Sequence, residues 1–374
     1  MEDPRLTLCM IVKDEEACLT RCLESVQGVV DEMIIVDTGS SDQTVAICEQ
    51  YGATVLHYEW HDDFSAARNH GLPHATGDWI LWLDADEALD TYDAAYVKEL
   101  LREEEDHVLS VHLINYVNDT RNADDAFHIA QTRLFRNGKG LQFQATIHEN
   151  LNITEALSPE ELPTAIKLLP VRIHHEGYTE SVIANKRKSE RNLNLLLKEL
   201  GKEGHSPWIE YHLASEYAHL QEYESAFAYV NRSIKGFLEQ GIAPPSLLYK
   251  LKYSVLISTG SAEGAWPGIE KAIEMYPDYV DLHLYKGIIL YLKGWYEQAH
   301  EAFDHCLEMG EGNLAHLTLR GSGSFHAWYY KGQCYEQEGR LEQALHAYYQ
   351  SLSLSYTYTP ASDALMRLNE RLET

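Results

Sequence analysis

The sequence predicts an α/β N-terminal domain built on a sheet covered by helices on both faces, followed by an all-α solenoid of helix pairs. Three observations carry this expectation. Short apolar runs alternate with amphipathic helical patterns through the first half. The second half repeats a helix-pair pattern, with Gly260 standing 34 residues before Gly294. The stretch Trp79-Ile80-Leu81-Trp82-Leu83-Asp84-Ala85-Asp86-Glu87 runs from five apolar residues straight into three carboxylates.

Leu6 to Val12 reads as the first strand. Lys13-Asp14-Glu15-Glu16 follow, then a helix with Leu19, Leu23 and Val26 on one face. Met33 to Val36 is a second buried strand ending at Asp37. The turn Thr38-Gly39-Ser40-Ser41-Asp42 can cap a helix through Tyr51. Thr54 to Tyr58 reads as a third strand, Phe64 to Leu72 as helix, and Trp79 to Leu83 as a fourth strand buried on both faces. This order argues for a parallel sheet with helices on both sides. Val108 to Val117 is a further strand, and Leu141 to Ile147 a candidate for another.

Four acidic or histidine-bearing clusters fall where strands end: Lys13 to Glu16, Asp37, Asp84 to Glu87, and His148-Glu149. In a parallel sheet all four can face one crevice, the edge where open α/β sheets bind ligands. Clustered carboxylates repel one another and are costly to desolvate unless a positive charge lies between them. A divalent cation held by one or two carboxylates shares its other positions with substrate phosphates. The expectation is a metal-dependent enzyme acting on a phosphate-bearing donor.

The bulk properties narrow the class. A chain of 374 residues with 45% hydrophobic residues suits two or three domains. A net charge of −28 argues against non-specific nucleic-acid binding, which needs basic patches. No signal peptide is visible, and no stretch approaches the ~18 apolar residues of a membrane span. Cys9, Cys18, Cys22, Cys48, Cys306 and Cys334 form no CxxC pair and read as reduced core residues of a cytoplasmic protein.

In the second half, Gly294-Trp295-Tyr296-Glu297-Gln298-Ala299, Gly339-Arg340-Leu341-Glu342-Gln343-Ala344 and Gln221-Glu222-Tyr223-Glu224-Ser225-Ala226 share one pattern. Small residues pair as Ala214/Ala226, Gly287/Ala299 and Gly332/Ala344, where the two helices of a unit would cross. Trp328, Gly332 and Tyr335 fit the signature, with Lys331 in its leucine position. This half resembles tetratricopeptide repeats. About four helix pairs are expected over residues 207–357 of a repeat domain 207–374, with an insertion near Gly310–Gly323. The second pair is degenerate, with Tyr253 at its first small position. Such stacks leave a concave face for partners. Residues 181–206 read as a basic helical linker. Its Lys186-Arg187-Lys188 and Arg191-Asn192 are either a solvated helix face or a positive lid over a diphosphate.

Residues 1–180 resemble a family 2 glycosyltransferase with the GT-A fold, an α/β Rossmann-like mixed sheet. The matching pieces are Met10 to Glu16, Ile35 to Asp42, Asp63 to Asn69, Leu83 to Glu87, Ile147-His148-Glu149, Ile173 to Tyr178 and Lys188 to Asn192. Asp14 departs from the pattern, where the subgroup commonly has Asn. Together with the repeats, the chain is similar to a bacterial subgroup that includes peptide S-glycosyltransferases of the sublancin type.

The resemblance implies an inverting transfer from a nucleotide sugar, with a UDP-sugar as the expected donor. It places Val12, Glu15, Asp37, Arg68, Asp84, Lys188 and Arg191 at the nucleotide, with Asp37 on uracil or ribose and Asp84 near the ribose. It places Asp86 and His175 on Mn²⁺ or Mg²⁺. His174 and His175 face opposite ways in an extended segment, so only one can reach the crevice. Glu149 is the expected general base on the acceptor, with Asp62, Asp63 and Glu87 as rivals. The repeats are expected to hold a peptide or protein acceptor, or a partner subunit, and a homodimer is a possible assembly. Bland readings stand beside these: a turn-forming Asp37, a helix-capping Glu15, and an Arg68 salt-bridged to Asp63. Two other classes stay open, a nucleotidyltransferase and a non-enzymatic repeat scaffold. The first loop, Lys13 to Glu16, lacks the glycines usual in a nucleotidyltransferase.

Overall fold

The computed structural model describes residues 3–117, 122–162, 167–176 and 182–373, with the backbone alone for residues 182–188 and 373. Two compact units are present: Met1–Arg121 with Ile129–Glu180, and Asn122–His128 with Ser181–Thr374.

The first unit begins β1 (Leu6–Val12), α1 (Leu19–Val26), β2 (Glu32–Asp37), α2 (Thr44–Gln50), β3 (Thr54–His57), α3 (Phe64–Gly71) and β4 (Trp79–Trp82). It continues with β5 (Glu87–Leu89), α4 (Thr91–Ala94), α5 (Val97–Arg102), β6 (Val108–Tyr116) and β7 (Ala126–Arg136). The last elements are β8 (Phe143–Gln144), β9 (Asn150–Leu151), α6 (Ile153–Ala156) and β10 (Lys167–His175). The strand order is β3-β2-β1-β4-β7-β6-β10-β5. β1 pairs in parallel with β2 and β4, and Val12 lies opposite Asp37, so two strand ends meet side by side. Alternate residues serve the two faces: Leu8 and Leu81 pack with α1, while Cys9 and Ile80 pack with Phe135 and Phe143.

The sheet is mixed, as the GT-A resemblance implies, whereas the alternation of strands and helices by itself argued for a parallel one. β7 runs antiparallel to β4, and β5 antiparallel to β10. β7 escapes the alternation of strands and helices because an antiparallel neighbour needs no helical crossover. Its residues are also mostly half-buried, with only Leu134 and Phe135 as an adjoining apolar pair in the core. The expected strand Leu141 to Ile147 shrinks to Phe143–Gln144, because Ala145 and His148 take left-handed backbone (φ 73° and 56°).

The second unit contains α7 (Val182–Leu200), α8 (Pro207–His219), α9 (Tyr223–Glu239), α10 (Ser246–Ser258), α11 (Ala262–Ala265) and α12 (Gly268–Met275). After these come α13 (Val280–Leu292), α14 (Tyr296–Met309), α15 (Phe325–Gln337), α16 (Leu341–Leu354) and α17 (Thr359–Glu373). Where the helices of a pair cross, Ala214, Ala226, Ala299 and Ala344 are fully buried. A Cβ on Gly287 would lie 2.3 Å from the Phe303 ring, and one on Gly332 would lie 2.4 Å from the Tyr348 ring. Bulk on the second helix thus fills the hollow left by the first. In the degenerate pair the bulk changes sides. Tyr253 occupies the small position, and a Cβ on Gly268 would sit 3.2 Å from its hydroxyl. There the second helix is broken into α11 and α12.

α7 buries Leu195 and Leu196, and Asn192 donates to Glu216 of α8 at 2.7 Å. It is therefore the first helix of this unit, and residues 181–206 do not form a separate linker. The insertion carries β11 (Thr318–Leu319), which pairs antiparallel with Phe127–His128. Lys250 donates to the buried Asp281 and to the Leu317 carbonyl (2.6 Å), with its ammonium 4.4 Å from the Phe127 ring. No helix among the described residues is long and apolar enough to cross a membrane.

The repeat packing makes a sharp prediction. Gly287→Ala should cost about 1–3 kcal/mol by forcing the Phe303 ring aside. Gly312→Ala, which meets nothing within 4 Å, should stay within about 0.5 kcal/mol of the parent. Denaturant unfolding of both variants checks this.

Candidate active site

The site is built at the end of β4. The buried strand delivers Asp84, Asp86 and Glu87 into a tight turn, in which Glu87 N–H donates to the Asp84 carbonyl (3.0 Å) and Asp84 N–H to Glu87 Oε2 (3.1 Å). The three acids then part company. Glu87 is fully buried and accepts two bonds from Arg133, at 2.9 and 2.5 Å. Asp84 accepts from Arg68 Nη2 at 2.6 Å, and its other oxygen lies 3.8 Å from Arg133. Arg68 Nε also donates to Glu149 at 2.5 Å. The result is an alternating row of charge: Glu149, Arg68, Asp84, Arg133, Glu87. Both guanidiniums lie over the Trp82 ring, Arg133 at 3.9 Å and Arg68 at 4.8 Å from its centre. Burial pushes the Asp84 carboxyl up, but Arg68 and then Arg133 outweigh it and hold the group well below the usual carboxylate range.

Asp86 stands apart from this row. Its carbonyl accepts from Arg21 (2.8 Å), and its carboxylate faces His175 Nε2 at 3.5 Å. His175 closes β10, opposite Asn115 of β6 and Glu87 of β5. Its Nδ1 lies 2.7 Å from Asn115 Oδ1. His174 turns the other way, to the Tyr116 hydroxyl (2.8 Å) and Asp90 (3.0 Å). Burial disfavours the His175 imidazolium, yet the hydrogen bond and charge of Asp86, followed by Glu87 and Asp84, raise its pKa. That corner of the turn favours positive charge.

The neighbouring loops are stitched together. The Val12 carbonyl accepts the Thr38 N–H (3.0 Å), while the Val12 side chain is core. Asp37 is buried and accepts from the N–H groups of Gly39 (3.2 Å) and Ser40 (3.1 Å), with His57 Nδ1 at 3.4 Å. Asp14 has left-handed backbone (φ 54°), a conformation in which Asn and Asp are enriched, and accepts the Ser41 N–H at 2.7 Å. Glu15 accepts from the Cys18 thiol at 3.2 Å. Its carbonyl receives the N–H groups of Cys18 and Leu19 that lead into α1.

Several expectations change. Arg68 is bound by Asp84 and Glu149, while Asp63 caps α3 by accepting the Ala66 N–H (2.9 Å). Glu87 cannot serve as a rival base, because it is sealed against Arg133. Asp62 accepts from the Trp60 indole at 3.2 Å. Lys186, Arg187 and Lys188 have side chains outside the described residues. Arg191 is exposed on α7, 3.2 Å from Asn192 Oδ1. Arg133 and Asn115 were not singled out from sequence. Both lie on strands whose partners are distant in the chain, and neither belongs to a motif. Register alone would have found them.

Among the described residues no group of three His, Cys, Asp or Glu is placed to hold a metal ion unaided. Asp86 and His175 are two hard or borderline ligands on one side of the turn. That set fits a Mn²⁺ or Mg²⁺ whose remaining positions go to phosphate oxygens and water.

The alternating row yields a test by denaturant unfolding. Arg133→Met leaves Glu87 as an unpaired buried charge and should cost about 3–5 kcal/mol. Pairing it with Glu87→Leu should restore most of that loss, whereas a single-variant loss under about 1 kcal/mol would contradict the arrangement.

Residues 7–155 match the Glycosyl transferase family 2 model, and residues 325–358 match a tetratricopeptide repeat model. A TPR repeat-containing protein of Synechococcus elongatus is 35% identical over 260 residues, covering 68% of this chain and 61% of its own length. The SPbeta prophage-derived glycosyltransferase SunS of Bacillus subtilis is 29% identical over 248 residues, covering 63% of this chain and 54% of its own. The chain thus spans somewhat over half the length of these curated relatives. Among solved structures, S. aureus TarS 1-349 superposes with a TM-score of 0.37 and 15% identity, over 67% of this chain and 86% of that one. On the two family-model matches, residues 7–155 carry a family 2 glycosyl transferase domain and residues 325–358 a tetratricopeptide repeat.

Proposed function

We propose that the chain is a cytoplasmic, metal-dependent, inverting glycosyltransferase that moves a sugar from a UDP-sugar to a peptide or protein side chain. The observation that carries this reading is the separation of the strand-end acids. Arg68 and Arg133 take up Asp84, Glu87 and Glu149, while Asp86 is left facing His175.

Asp86 and His175 would hold Mn²⁺ or Mg²⁺. With a cation bound, Asn115 would accept from His175 Nδ1 and leave the Nε2 lone pair of the neutral ring for the metal. The bound cation would offset charge on the departing nucleoside diphosphate. Asp84, kept ionised by Arg68 and Arg133, can accept from a ribose hydroxyl. Asp37, Glu15 and the backbone at Val12 border the place proposed for the base.

Glu149 is the proposed base. Arg68 orients it through the 2.5 Å bond from its Nε. A thiol gives up its proton to a carboxylate more readily than a hydroxyl does, so a carboxylate base suits a cysteine acceptor. Attack in line with the leaving diphosphate, with inversion, rests on the family likeness.

The test is UDP release from UDP-sugars in the presence of Mn²⁺. Asp86→Ala should lower the rate by about 100-fold or more. Asn115→Ala, which only orients a ligand, should lower it by about 10–100-fold. Turnover unchanged in Asp86→Ala would overturn the proposal.

A further inference from the structure

The second helix pair is where the repeat pattern fails, and the failure leaves a hole. Between α11 and α12 the helix is interrupted at Trp266-Pro267. A cavity of about 360 Å³ opens there, walled in part by Trp266, Trp295, Glu270, Lys286 and Glu301. The two indole rings stand nearly perpendicular, 86° apart with centres at 5.6 Å. Trp295 is 40% exposed, unusual for so large an apolar ring.

The charges around these rings are unequal. Lys286 is matched by Glu270 at 2.9 Å. Lys293 lies over the Trp295 ring at 4.8 Å and is matched by Glu263 at 2.5 Å. Trp295 therefore already holds one cation against its ring. Glu301 is exposed and has no ion-pair partner among the described residues. An unmatched carboxylate beside two aromatic walls is a setting for a cation.

We propose that this cavity captures an arginine side chain of a peptide partner, its guanidinium stacking on the tryptophans and forking to Glu301. A guanidinium suits the site better than an ammonium because it is planar, stacks on rings and pairs with a carboxylate through two bonds. The chain's net charge of −28 adds a long-range pull on any basic peptide. Loss of the regular repeat at Tyr253 and Pro267 is then the feature that makes room for the ligand. The inference concerns binding alone, so it stands or falls apart from sugar transfer.

The test is calorimetry on the full chain at about 0.15 M salt, where distant charges are screened. The probe is a capped arginine tetrapeptide, with the citrulline tetrapeptide as its neutral match. The arginine peptide should bind and the citrulline peptide should not. Glu301→Gln and Trp295→Ala should each weaken binding by about five-fold or more. Glu342→Gln removes one exposed charge from α16 and should leave affinity unchanged. Glu301→Gln is nearly isosteric and keeps the test sound if Trp295→Ala loosens the fold. Binding that is equal for both peptides, unaffected by Glu301→Gln, or weakened as much by Glu342→Gln would overturn the proposal.

Discussion

A buried strand that ends in several carboxylates cannot fold without counter-charge, and everything at this site follows from how that charge is supplied. Arg68 comes from α3 and Arg133 from β7, elements that approach β4 from different parts of the chain. Each guanidinium bridges two acids, and Trp82 lies beneath both. A buried ion pair is weak evidence for stability, since desolvation offsets most of its attraction. Here its value is arrangement. With Asp84, Glu87 and Glu149 bound to the guanidiniums, the turn directs the Asp86 carboxylate toward His175.

That arrangement explains why one short segment can hold acids of different character. Glu87 is sealed and structural. Asp84 is ionised, oriented and 40% exposed, available to a ligand's hydroxyl. Asp86 sits where neighbouring carboxylates raise the His175 pKa, so the same field that favours an imidazolium would favour a cation. The loops after β1 and β2, tied by Asp14 to Ser41 and by Thr38 to Val12, border the same strand ends.

Much of this was legible in the sequence, for reasons that also mark its limits. β1, β2 and β4 are continuous apolar runs ending in acids, and parallel pairing puts those ends at one edge. The likeness of Ile173 to Glu176 to a known motif singled out His175, and the structure turns its neighbour His174 to Asp90. β7 was invisible because its pattern is half-buried and antiparallel, and Arg133 was hidden with it. Glu87 looked like a candidate base because sequence shows a carboxylate but not the guanidinium that covers it. In the repeats, the small residues Gly287 and Gly332 announced the crossings, and Tyr253 announced the exception. The consequence of that exception, a cavity beside Trp266, depends on where the helix breaks and could be seen only in three dimensions.

The central claim is that Asp86 and His175, and not the other strand-end acids, hold the cation that the nucleotide shares. The most direct measurement is the calorimetric affinity for UDP with and without Mn²⁺. Mn²⁺ should tighten UDP by about ten-fold or more in the parent chain. That increment should vanish in both Asp86→Asn and His175→Ala while metal-free affinity is kept. A Mn²⁺ increment that survives in both variants would contradict the account.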